Sequence, residues 1–232
     1  VQHMVLAMLV PLLLVLGAPI TLALRAIAPA RRGELGPRER ILSVIHSRFV
    51  RVLTHPIVAF AIFVTAAPMV YFSGLFAYAM ENHTGHMLMG LHFLLGGYLF
   101  YEVVIGTDPL PSRPAYPIRI VMVLAAAGFH AFFAVGLMES ARLVAGDYYA
   151  LLGTEIAWLP DTLADQRDAG SITWGFGEIP ALIVLVTLVV QWSRSDERES
   201  RRRDRKPVDP ELDEYNAYLS ALAERDSRSR TR

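Results

Sequence analysis

Apolar residues in this chain gather into long runs, and five of these runs reach the roughly 20 residues that a helix needs to cross a bilayer. They are Met4–Leu24, Pro56–Tyr78, His86–Gly106, Pro117–Glu139 and Ile172–Trp192. The pattern changes between the first two. Ile41, Leu42, Ile45, Phe49 and Leu53 recur every three or four residues beside a basic face, which predicts a helix over Arg38–Leu53 lying at a membrane interface. Past the last run, Leu212, Tyr215, Leu219 and Leu222 recur at helical spacing within Pro210–Arg225. That segment reads as a docking helix or one resting on the membrane surface. Thr107–Asp108–Pro109–Leu110–Pro111 reads as a rigid turn, because proline fixes its own φ and restricts its predecessor. No internal repeat of 20–50 residues is present. The predicted fold class is an all-α integral membrane protein, a bundle of about five transmembrane helices over residues 1–193 with a cytoplasmic interfacial helix. A charged cytoplasmic tail with a short helix follows over residues 194–232.

Composition agrees with this pattern. Of 232 residues, 53% are hydrophobic and 19% charged, more apolar than an ordinary soluble domain of this size. The first run lacks the basic leader and small-residue cleavage site of a removable signal peptide. It is already under way at Val5, and upstream spans are expected to precede Val1.

The net charge is zero, with 22 basic and 22 acidic residues, but the distribution is uneven. Arg25, Arg31, Arg32, Arg38, Arg40, Arg48 and Arg51 lie between the first and second spans, and Arg113 and Arg119 flank the connection between the third and fourth. Eleven more basic residues follow Trp192, leaving Arg142 and Arg167 alone on the opposite side. Lysine and arginine accumulate in cytoplasmic loops. The chain is therefore expected to enter from outside and to end in the cytoplasm, with an acidic outer connection carrying Asp147, Glu155, Asp161, Asp165 and Asp168. Arg201–Arg203 is interleaved with Asp196, Glu197, Glu199 and Asp204, which describes a solvated flank rather than a nucleic-acid patch. The absence of cysteine excludes disulfides, thiolate metal sites and covalent c-type haem attachment. A soft-metal site here must use histidine and methionine.

Five of the seven histidines fall in or at the ends of the apolar runs: His3, His83, His86, His92 and His130. An ionisable side chain in a span usually faces a partner, a cavity or a metal. At about 1.5 Å per residue, His92 lies roughly 9 Å and His130 on the order of 13 Å from the outer ends of their spans. Glu178 lies about six residues inside the fifth. All fall in the outer half of the bilayer on the expected topology. Met4, Met87 and Met89 accompany the histidines, and Met4 with Met8 forms an i, i+4 pair. Imidazole and thioether suit copper, Cu(I) in particular. His86 and His92 are about 120° apart around their helix. One metal therefore needs ligands from another span as well. The alternative is structural: His130 pairs with Glu178, the other histidines bond to headgroups or backbone, and Glu102 accepts from Arg113 or Arg119. His46 and His55 belong to the interface.

Several segments together resemble the membrane-embedded CtaG family of caa3-type cytochrome c oxidase assembly factors. They are Gln2–Met4 with Gly17–Pro19, His86–Phe100 (HMLMGLHFLLGGYLF), Asp108–Pro111, Phe129–Phe133, Asp165–Gln166 and Ile172–Pro180 (ITWGFGEIP). Asp196–Arg198 and Tyr215–Asn216 are similar too. The resemblance covers nearly the whole chain and is to the C-terminal half of actinobacterial CopD–CtaG fusions. It is distinct from the single-span copper chaperone of the same name, whose site uses cysteines. After Asp165–Gln166 the family commonly has a glycine pair, where this chain has Arg167–Gly170. Relatives carry further spans and histidines upstream of Gln2.

The resemblance implies a maturation factor for a haem–copper oxidase in a bacterial plasma membrane, with oxidase subunits, copper ion and membrane lipid as partners and no nucleic acid. The residues expected to serve copper are His3, His83, His86, His92, His130, Met4, Met87, Met89 and Glu178. No nucleotide-binding loop and no nucleophile-plus-base arrangement occurs in the sequence, so no catalytic turnover is expected. The competing readings are a copper or small-solute transporter, which needs polar groups across the whole thickness, and a structural scaffold without metal.

Overall fold

The computed structural model describes residues 2–30, 35–111, 113–155, 161–204 and 210–230. All regular structure among them is helical. The chain forms two compact units, residues 1–189 and 190–232.

In the first unit the leading span, Gln2–Ala26, is segmented. Helix α1 (Gln2–Met4) passes through a π-helical turn (Val5–Leu9) into α2 (Val10–Leu16), and α3 (Pro19–Ala26) follows. Proline causes the irregularity: Pro11 has no N–H to return to Ala7, so that carbonyl leaves the regular ladder. Helix α8 (His83–Val104) packs against this point through Gly97. A Cβ at Gly97 would lie 2.1 Å from the Ala7 carbonyl oxygen, so only glycine allows the two backbones to approach this closely.

The interfacial segment is two helices rather than the one expected over Arg38–Leu53. Helix α4 (Pro37–Ile45) stops at His46, whose Nδ1 shares a 2.8 Å hydrogen bond with the Leu42 carbonyl. Helix α5 (Arg48–Leu53) restarts at Ser47, whose hydroxyl accepts from the Val50 N–H. Leu35, Val44, Phe49 and Val52 are exposed along this segment.

The second span is also broken. Helix α6 (Pro56–Tyr71) and helix α7 (Leu75–Glu81) meet at 67°. Pro68 removes one ladder bond of α6, the Ser73 hydroxyl donates back to the Met69 carbonyl, and Gly74 precedes α7. The bend turns Phe76 and Met80 inward, where a straight span would carry them away.

Helices α8 and α9 (Tyr116–Glu139) match the third and fourth expected spans closely. Both are apolar nearly all round, as membrane-crossing helices are. The short helix α10 (Gly146–Glu155) precedes α11 (Thr162–Asp204), which begins ten residues before the expected fifth span at Ile172. Gln166 explains part of the extension. Its side chain accepts from Val144 N–H and donates to the Leu137 and Arg142 carbonyls, tying the preceding connection to the first turns of α11. Among the described residues, four helices, or five spans counting the bent pair as one, are long and apolar enough to cross a membrane.

Two apolar clusters fill this unit. One holds Leu12, Val15, Phe100, Tyr101, Val104, Met122, Val184 and Leu188. The other holds Ala66, Val70, Phe76, Ala79, Met89 and Phe93, toward the histidine-bearing end.

The second unit contains the end of α11 and helix α12 (Pro210–Arg230), which runs past the expected Arg225. Tyr215, Tyr218, Leu219 and Leu222 are exposed on it.

Candidate functional site

At the N-terminal end of α8 a cavity of about 410 Å³ is lined by residues of seven of the described helices. Helix α1 contributes His3 and Met4, α6 contributes Tyr71, the bent α7 contributes Met80, and α8 contributes His86. The early start of α11 supplies Asp165, Asp168, Ala169, Ile172 and Thr173, spaced i, i+3, i+4, i+7 and i+8, which is one helical face.

His3 is the best-defined group here. Its ring sits among Tyr71, Phe76 and Phe93, with centroids 6.2, 6.3 and 5.5 Å away. Its Nδ1 shares a 2.7 Å hydrogen bond with the Tyr71 hydroxyl. Its Nε2 is buried and has no hydrogen-bond partner among the described residues. A buried polar atom without a partner is uncommon enough to require an explanation. The His86 ring centroid is 5.5 Å from that of His3, with the planes tilted by 47°. Tyr149, on α10, lines the same cavity; burial, with Tyr148 and Asp165 adding, pushes its phenol above the usual range and keeps it a neutral hydroxyl.

A second, smaller cavity of about 40 Å³ lies next to the first and shares Met4 and Phe133 with it. Met8 and His130 line it. His130 Nε2 is 3.0 Å from the Thr173 carbonyl oxygen, to which it donates. Gly177 makes room for the ring, since a Cβ there would lie 2.2 Å from His130 Cδ2.

The nine candidate residues do not converge. His3, His86 and Met4 meet at the larger cavity, and Met4 reaches His130 at the smaller one. His83 is exposed although it lies three residues from His86, because α8 begins at His83 and presents it outward. Met87 is exposed, and Met89 packs into the apolar cluster with Phe93. His92 stands apart on α8 with its Nε2 buried and unpartnered. Glu178 is exposed and acts on His130 electrostatically, while the hydrogen bond of His130 goes to the Thr173 carbonyl. Among the described residues, no three histidine, aspartate or glutamate side chains form a metal-binding group. What the larger cavity offers is two imidazoles with the thioethers of Met4 and Met80.

Tyr71, Met80 and the Asp165/Asp168 face join the site without having been singled out for it. Asp165 and Asp168 carried a signal in their i, i+3 spacing ahead of Ile172 and Thr173. Met80 stood in sequence at the same outer junction as His83 and His86, and Tyr71 carried no signal, since its bond to His3 joins residues 68 positions apart.

A different polar cluster lies at the C-terminal end of α8. Asp108 is 1% exposed, and its carboxylate accepts from the N–H groups of Ile20 (3.1 Å) and Thr21 (2.7 Å). It caps α3 from a distant loop, where Ala18, in the left-handed region at φ 47°, offers no side-chain cap. Arg113 donates to the Gly106 and Asp108 carbonyls and lies 3.4 Å from Glu102 Oε1. Arg119 donates instead to the Pro114 carbonyl and stacks on Tyr116. The structural reading of Glu102 is thus realised through Arg113 and not Arg119.

Comparison with known proteins bears on what such a bundle is. The family model for the cytochrome c oxidase caa3 assembly factor (Caa3_CtaG) matches residues 1–195. Similar curated proteins are uncharacterized proteins of Mycobacterium bovis and Mycobacterium tuberculosis, each 43% identical over 227 residues. One from Mycobacterium leprae is 42% identical. In each case the match covers 96% of this chain and 34% of the relative, so the chain spans about a third of the length of these proteins. No solved structure matches. The chain belongs to the caa3-type cytochrome c oxidase assembly factor family.

Proposed function

We propose that this protein serves oxidase assembly by holding copper, as Cu(I), in the cavity between α1, α7 and α8. The observation that carries the reading is His3: its Nδ1 is engaged by Tyr71, while its Nε2 is buried, unpartnered and next to His86. With Nδ1–H donating to Tyr71, Nε2 presents a lone pair, the arrangement by which an outer hydrogen bond orients a metal-ligating histidine. His3 and His86 are the imidazole ligands, with Met4 and Met80 as the neighbouring thioethers. This donor set suits Cu(I), which accepts soft sulfur and low coordination, better than zinc, which asks for four ligands.

The protein is read as a multi-pass protein of a bacterial plasma membrane. The arginine-rich connections then face the cytoplasm and the histidine end faces outward. Asp165 and Asp168 on the cavity wall favour entry of a cation. Holding is better supported than passage, because the apolar cluster around Phe100, Tyr101 and Leu188 fills the bundle beyond the cavities. An oxidase subunit is the intended recipient, and no turnover is assigned to the chain.

The test is made in cells on the full-length protein. Replacing His3 and His86 together by Ala is expected to lower cytochrome c oxidase activity and membrane copper while the protein remains in the membrane at its normal level. Unchanged oxidase activity and copper content in that strain would refute the proposal.

A further inference from the structure

The connection between the first two spans holds a cavity unrelated to the histidines. Its volume is about 520 Å³; Thr21, Arg25, Arg38 and Thr107 are its polar lining, and Leu24, Ile27, Ala28, Pro29 and Pro109 the apolar remainder. Two features make it cationic. Among the described residues neither Arg25 nor Arg38 forms an ion pair, and Arg38 Nε is buried without a hydrogen-bond partner. Neither Asp108 nor Glu39, the described acids near it in sequence, lines the cavity, although Glu39 acts on Arg38 electrostatically. Both Asp108 oxygens accept from α3, and Glu39 Oε1 accepts from the Ala30 N–H, outside the cavity wall.

A buried guanidinium N–H without an acceptor carries a desolvation penalty that an anionic oxygen removes. Two guanidinium forks with two threonine hydroxyls match the several acceptor oxygens of a phosphate group. The surroundings indicate where such a group comes from. Leu35, Val44, Phe49 and Val52 are exposed along the same connection and Ile57 at the start of α6, and the connection joins a helix long and apolar enough to cross a membrane to a bent helix pair that is so only together, so acyl chains find apolar surface along it. We infer that this cavity binds the phosphate headgroup of an anionic phospholipid, held between α3, α4 and the turn at Thr107–Pro109. The lipid then acts as a pin: it bridges the end of the first span to the interfacial helices, which share no ion pair of their own among the described residues. This inference is independent of the copper reading.

The test uses the full chain, purified and reconstituted into vesicles of phosphatidylcholine with phosphatidylglycerol, then analysed for co-purifying lipid by native mass spectrometry. Wild type is expected to retain one phosphatidylglycerol per chain. Arg25→Gln with Arg38→Gln is expected to bind it roughly thirtyfold more weakly, from about fivefold per basic residue near a membrane surface. Arg48→Gln with Arg51→Gln on α5 removes the same charge outside the cavity and is expected to leave retention intact. Equal losses in the two variants indicate diffuse attraction and overturn the site. Arg25→Lys with Arg38→Lys keeps both charges and disturbs folding least; it is expected to lose retention several-fold, and retention equal to wild type overturns recognition by the guanidinium forks. Inorganic phosphate added to delipidated protein is expected to bind weakly. If it binds as tightly as the lipid and displaces it, the ligand is free phosphate and the lipid assignment fails.

Discussion

The two ends of α8 hold polar clusters about 24 Å apart, sixteen residues at the helical rise, and apart from Glu102 Oε2, buried and unpartnered among the described residues, the C-terminal cluster is bonded where the N-terminal one is open. At the C-terminal end Asp108 has both oxygens engaged by the backbone of α3, and Arg113 bonds two carbonyls and faces Glu102. At the N-terminal end His3 leaves a nitrogen unpartnered among the described residues, the His86 ring lies beside it, and both line a cavity of about 410 Å³. The first cluster closes the fold. The second is held open by the fold and remains available for chemistry. Substitutions should therefore separate stability from metal affinity according to the end they touch.

The largest effect is expected from Asp108→Ala. It strands two part-buried N–H groups and removes a helix cap, which amounts to about 3 kcal/mol of destabilisation. Thermal unfolding of the purified protein should show a clear drop in Tm, while copper affinity at the folded state stays within about twofold. Replacing His3 and His86 by Ala should do the reverse. Cu(I) affinity, measured by chelator competition, is expected to fall at least about a hundredfold, with stability changed by no more than about 1 kcal/mol. A double variant that unfolds the protein would erase the distinction between the two ends.

Gly97→Leu sharpens the comparison because it acts on both ends at once. The new side chain meets the Ala7 carbonyl and Pro11, at an overpacking cost of about 2 kcal/mol. It also pushes the π-helical turn and His3 away from α8, so copper affinity should fall together with Tm. Tyr71→Phe is milder. It removes the bond that orients His3, and about a tenfold loss of Cu(I) affinity is expected with little change in Tm. The smallest effects belong to His83→Ala, Met87→Ala and Glu178→Gln. All three residues are exposed, so stability should change by less than about 0.5 kcal/mol and copper affinity should not change.

The contrast also explains how far residue pattern alone could go. Long apolar runs reveal membrane-crossing helices directly, because a helix in lipid must satisfy its backbone internally and keep an apolar surface. Helices α8 and α9 were legible for that reason. The bend between α6 and α7 was not, since Pro68, Ser73 and Gly74 are individually common in apolar helices and only their combination turns the chain. The start of α11 was missed because Asp165 and Asp168 look like loop residues until Gln166 is seen bonding back to the preceding connection. Among the candidate ligands, His3 and His86 could be named from sequence but not paired. They lie on helices far apart in the chain, and their proximity depends on the glycine contact at Gly97. His83 and Met87 matched the expected residue types, but the orientation of α8 turns both outward. Asp108 appeared as part of a rigid turn, and nothing local indicated that it caps a helix 87 residues away.

The central claim is that the unpartnered nitrogen of His3 and the facing His86 form a copper site. Copper K-edge X-ray absorption on the reduced full chain tests it most directly. The account predicts about one Cu(I) per chain with imidazole nitrogen and thioether sulfur scatterers, and loss of both metal and signal when His3 and His86 are replaced by Ala. A reduced protein that holds no copper, or one that holds the same copper with the same spectrum after both replacements, would contradict it.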